Sequence, residues 1–145
     1  MRRFIICTLA LFGTLIFAFT IEGGNPIDFL LPTPLCIVVC VPLFAVLAVW
    51  SLKDWGRAWK AAFVGGGADG ATSVRLWDFY EKACYIAGVV SFILGLNVIF
   101  SFHGGVERSD IFKPLAVDCV APILSILFAM VARILKARVE KNERA

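Results

Sequence analysis

Four long apolar runs constrain this chain more than any other feature. They extend over Phe4 to Ile21, roughly Phe29 to Trp50, Ala83 to Phe102, and Ile111 to Ala132. Each is about 18–22 residues, enough to carry a helix across a hydrocarbon core of roughly 30 Å. The first three hold no charge, and the fourth holds only Lys113 and Asp118. None alternates apolar and polar residues with a period of two, so a membrane barrel is excluded. Composition agrees: 60% of the 145 residues are hydrophobic and 17% charged, where a soluble domain lies nearer one half and one quarter. The expected fold class is all-α, a four-helix polytopic membrane protein forming one membrane domain over residues 1–145, with the lipid bilayer as its first partner. The first run is read as a retained helix and not a cleaved signal peptide, because it is long for a signal core and "AFT" lacks the small-residue pattern.

Lysine and arginine set the orientation. Arg2 and Arg3 precede the first run, Lys53, Arg57, Lys60, Arg75 and Lys82 lie between the second and third, and Arg133, Lys136, Arg138, Lys141 and Arg144 follow the fourth. The turn "EGGNPID" has no basic residue, and "HGGVERSD" has one. Both termini and the loop 51–82 are therefore expected in the cytoplasm.

That loop is amphipathic and then glycine-rich. "SLKDWGRAWKAAF" is read as prolonging the second span, with Leu52, Trp55, Trp59 and Phe63 on one stripe and Lys53, Arg57 and Lys60 largely off it. Trp50, Trp55, Trp59, Lys53, Arg57 and Lys60 are the candidate membrane-interface residues, since indoles and cations suit the headgroup layer. A partner-binding helix is the competing reading. "GGGADGATS" lacks the spacing and the lysine of a phosphate loop and reads as a linker. "VRLWDFYEK" is a second short amphipathic stretch, and "KARVEKNERA" a solvated, frayed helical end. No nucleic-acid motif accompanies the charge.

Polar chemistry inside the runs is sparse. Cys84, Gly88, Ser91 and Gly95 recur at steps that share one helix face, so Gly88, Ser91 and Gly95 are candidate helix-packing residues. Asp118, Pro122, Ser125, Ala129 and Ala132 form a second small face in the fourth run. Asp118 is placed about seven residues into that span, roughly 10 Å along a helix. Pro122 cannot donate to the carbonyl of residue 118, leaving both oxygen-bearing groups of Asp118 in search of partners. Asp118, Pro122, Ser125 and Asn97 thus form a candidate ion, proton or polar intramembrane site. In a structural alternative, Asp118 is tied to Asn97, His103, Arg108 or another subunit. Pro42 is expected to kink the second span by freeing the Val38 carbonyl. Cys7, Cys36, Cys40, Cys84 and Cys119 read as packing residues; no metal site or cofactor is expected. With no nucleophile–base or acid–base pair, neither is an enzymatic activity.

Glu22, Gly23, Gly24, Pro32, Ile37, Val38, Lys53, Asp54 and Arg57, within "IEGGNPIDFLLPTPLCIVVCVPLFAVLAVWSLKDWGRAWKAAF", resemble the first hairpin of MotA-type flagellar stator subunits. The four-span order is similar to that family and, more distantly, to the TolQ and ExbB proteins. The resemblance implies a proton-channel family subunit of the bacterial cytoplasmic (inner) membrane. It also implies a homo-oligomer, a pentamer, around a single-span partner protein, with the third and fourth helices lining the central space. The chain departs from the family at Ser91-Phe92 and Ala121-Pro122, where the family carries threonine elements. Two functions follow as expectations: a short MotA-like subunit, or a structural scaffold in the membrane without ion transport.

Overall fold

The computed structural model describes residues 2–21, 32–64, 70–102, 115 and 118–144. All regular structure among them is helical: α1 (Arg2–Ile21), α2 (Pro32–Val49), α3 (Leu52–Phe63), α4 (Gly70–Phe102) and α5 (Val120–Arg144). The linker glycines 65–67, both expected external turns, His103 and Arg108 lie outside the described residues.

Among the described residues, α4 over Gly70–Phe100 and α5 over Val120–Glu143 are long and apolar enough to cross a membrane. A third span exists if α2 and α3 count as one broken unit, and α1 contributes a shorter apolar stretch, Ile5–Thr14.

The segment after Trp50 does not prolong the second span. α3 is a separate helix, turned by 108° from α2. Ser51 explains the break. Its hydroxyl accepts from the Asp54 N–H at 3.3 Å, and the Asp54 carboxylate accepts from the Ser51 N–H at 3.1 Å. This reciprocal cap satisfies first-turn donors that would otherwise need α2's carbonyls, so a new helix starts in a new direction.

α4 runs without interruption for 33 residues, so "VRLWDFYEK" is part of one long helix. At 1.5 Å per residue it reaches roughly 50 Å, longer than a bilayer core. Its charged residues, Arg75, Asp78, Glu81 and Lys82, all fall in the part before Ala83. That part extends beyond the apolar window, and so does α5 after Ala132.

Two cores result. In the first, α3 lies across the charged ends of α4 and α5, burying Ala58, Ala61 and Ala62 against Leu76, Trp77, Leu135 and Val139. The alanines let α3 approach closely. Asn142 fastens the lid by donating to the Ala61 carbonyl at 3.0 Å, and Arg138 lies 5.3 Å above the Phe63 ring. The C-terminal stretch is thus a packed part of α5, since Leu135 and Val139 continue its apolar stripe by another turn. In the second core, Val38 of α2 meets Val120, Ala121, Leu124 and Leu127 of α5. α1 joins there through Leu11 and Phe12, the latter edge-on to Phe128 at 6.3 Å.

Candidate functional site

α4 and α5 are antiparallel and share a seam built from their small residues. Cys84, Ala87 and Ser91 are buried on α4, and Ser125, Ala129 and Ala132 on α5. The Ser125 hydroxyl donates to the Cys84 carbonyl. A Cβ at Gly88 would stand 2.5 Å from the Cβ of Ser125 and 3.4 Å from the Cα of Pro122, so glycine sets the interaxial distance there. Further along, a Cβ at Gly95 would collide with the carboxylate of Asp118. Cys84, Gly88 and Gly95 therefore face Asp118, Pro122 and Ser125 within one chain.

Leu115 and Asp118 are both helical and lie just ahead of α5. A turn closed by the Cys119 N–H on the Leu115 carbonyl, at 3.1 Å, precedes α5, which begins at Val120. Pro122 therefore sits in the first turn of α5, where a missing backbone donor leaves no helical acceptor short of a partner. The helical path thus breaks at Cys119, between Asp118 and Pro122. What persists is the carboxylate: Oδ2 of Asp118 is buried without a hydrogen-bond partner among the described residues. Asn97 does not reach it. The Asn97 amide is exposed and donates to the Ile93 carbonyl at 3.2 Å on its own helix.

Pro42 is buried within α2. On the same helix the Cys36 and Cys40 sulfurs lie 3.6 Å apart, and all five cysteines are free thiols. Among the described residues, no three His, Cys, Asp or Glu side chains come together as metal ligands do.

The interface residues divide by face. Trp50 packs edge-on against Phe79 at 5.2 Å, and Trp55 lies 5.4 Å from both Trp77 and Tyr80. Trp59 meets Trp77 at 5.2 Å and stacks on Phe63 at 5.6 Å. These indoles are anchored on α4 as well as turned toward the surface. Lys53, Arg57 and Lys60 are exposed, with Arg57 3.4 Å from Asp54. Trp77 itself is a buried hub whose Nε1 lacks a hydrogen-bond partner among the described residues.

A second polar group escaped the sequence reading. Asp78 accepts from Lys82 at 2.7 Å and from Lys136 at 2.5 Å, and Glu81 faces Arg133 at 3.8 Å. Bonds from the two lysines hold the Asp78 carboxyl well below the usual range, at about 2. The same contact raises the Lys136 ammonium. The i, i+4 spacing of Asp78 and Lys82 was visible, but the cross-helix partners follow only from the antiparallel register.

The seam can lock two helices together, and its one orphan carboxylate can take up a proton or a small cation. The charged group beyond it can hold the far ends of the same helices in register. No family model, no curated protein and no solved structure matches this chain.

Proposed function

We propose that this chain is a structural subunit of a membrane assembly. It crosses a bacterial inner membrane four times with both termini and residues 51–82 in the cytoplasm, and its outer apolar faces meet lipid, further copies of the chain or a single-span partner. The observation that carries the structural reading is the pairing of the two small faces with each other. Gly88 against Ser125, and Ser125 on the Cys84 carbonyl, spend inside one subunit the surfaces that a stator-like arrangement would turn toward a central helix. The decisive experiment is the mass of the complex in lipid nanodiscs, with lipid mass subtracted, for wild type and Gly88→Leu. Several copies are expected in the wild type, and a folded variant keeps the same number, because Gly88 meets Ser125 within its own chain. A single copy that recovers no partner after gentle crosslinking would end the assembly role.

The second reading, a short MotA-like subunit passing protons or cations, is favoured by the partnerless Oδ2 of Asp118 beside Gly95. Proton flux into proteoliposomes that disappears in Asp118→Asn, with assembly intact, would select it over the scaffold.

A further inference from the structure

α4 and α5 leave their apolar windows at the same level, and a cleft of about 450 Å³ opens between them, lined by Asp78, Glu81, Lys82, Arg133, Lys136 and Glu140. Three carboxylates and three cations share it, but they are not equally satisfied. Asp78 is saturated by its two lysines. Glu81 is only 14% exposed, and its one described ion-pair partner, Arg133, stands at 3.8 Å, beyond hydrogen-bond length. Arg133 and Lys82 are 75% and 72% exposed and keep donors to spare.

An apolar path leads away from this cleft into the membrane window on both helices. Ile86, Val89 and Ile93 follow Lys82 along one face of α4, and Met130 and Ile126 precede Arg133 along one face of α5. All five are exposed. A mixed-charge head above two apolar tracks, at the level where helices emerge from lipid, has the outline of a phospholipid.

We propose that the cleft binds a zwitterionic phospholipid whose headgroup carries a primary ammonium. The phosphate sits on Arg133 and Lys82, the ammonium lies between Glu81 and Glu140, and the acyl chains follow the two apolar tracks. The charge pattern selects this headgroup. A purely anionic one would satisfy the cations and set negative charge beside Glu81 and Glu140. A choline headgroup has no N–H to give a carboxylate. The inference rests on α4 and α5 crossing the membrane.

The test uses the full chain in bilayers of equal phosphatidylethanolamine, phosphatidylglycerol and phosphatidylcholine, with lipid retained after gentle extraction counted by native mass spectrometry. Phosphatidylethanolamine is expected to be enriched, with retention falling about fivefold in Glu81→Gln/Glu140→Gln and in Arg133→Gln, and unchanged in Lys141→Gln, an exposed residue near the end of α5 outside the cleft. Equal retention of the three lipids, or enriched phosphatidylglycerol indifferent to the glutamate changes, would overturn the site. A phosphatidylethanolamine with a photoreactive acyl chain provides a measurement on the unaltered protein. Crosslinks at Ile86, Val89 or Met130 support the site, and crosslinks confined to other faces sink it. Release of the chain from membranes by alkaline carbonate would remove the membrane reading and the site together, whereas a carbonate-resistant chain without lipid preference removes the site alone.

Discussion

Gly88 and Gly95 do opposite work to Gly56, although all three lie inside helices. Gly56 has open space where a Cβ would go, while Gly88 has Ser125 there. Alanine at 56 removes the entropic cost of a helical glycine and is expected to stabilise by about 0.5–1 kcal/mol. Alanine at 88 must push α4 from α5 or rotate Ser125 off the Cys84 carbonyl, and overpacking of that kind costs about 1–3 kcal/mol. Thermal unfolding of the two variants in the same lipid should move in opposite directions; a shift of the same sign in both would contradict the seam. At Gly95 the obstacle is the end of a side chain, so alanine there is expected to displace the Asp118 carboxylate more than the helix. These small faces were readable because the helical period is local. Their pairing with each other was not, because register between two helices depends on the turn that joins them. Asp118 shows the other limit: the apolar run continues through it without a mark, whereas in the fold a turn at Cys119 separates it from α5.

Among the elements, α3 departs furthest from what its sequence pattern suggests. Its aromatic stripe reads as a continuation of α2 toward the headgroups, yet the alanines beside that stripe are what bury it. The cap pair, Ser51 followed three residues later by Asp54, stands in the sequence at the point where the direction changes. The pairing of α4 with α5 beyond the window is electrostatic as well as apolar, and it carries a pH signature. The Asp78 carboxyl, at about 2 in the folded protein, would sit near 3.9 in an unfolded chain. A depressed carboxylate contributes stability in full above the unfolded value and loses it as pH falls through the folded one. The stability difference between wild type and Asp78→Asn should therefore be constant above about pH 5, shrink below about pH 4, be small at about pH 2 and vanish only near pH 1. Melting temperatures across that range check it; a difference that persists unchanged at pH 2 would mean that Asp78 acts by shape alone.

At the scale of the whole molecule, the described helices divide into an apolar hairpin and a cap made of three chain segments. The last of those segments binds the other two: Leu135 and Val139 are buried under α3, and Asn142 holds the Ala61 carbonyl. A chain ending at Ala137 loses Val139 and Asn142, and with them the hold on α3. Trp55, Trp59 and Trp77 should then become wetter together, seen as a red shift of indole emission and faster quenching. If emission is unchanged, the aromatic cluster holds α3 by itself and the C-terminal turns only cover it.

The hydroxyl of Ser125 bonds a carbonyl forty-one residues earlier in the chain. That distance has a consequence for how the protein is made. When the ribosome has just completed α4, Gly88 and Ser91 have no counterpart, and the helix presents a narrow, polar-tinged groove to whatever surrounds the insertion site. The groove fills only once α5 has been synthesised and turned back. The two helices are therefore expected to enter the bilayer as a pair, with α4 held beside the insertion machinery until its mate arrives.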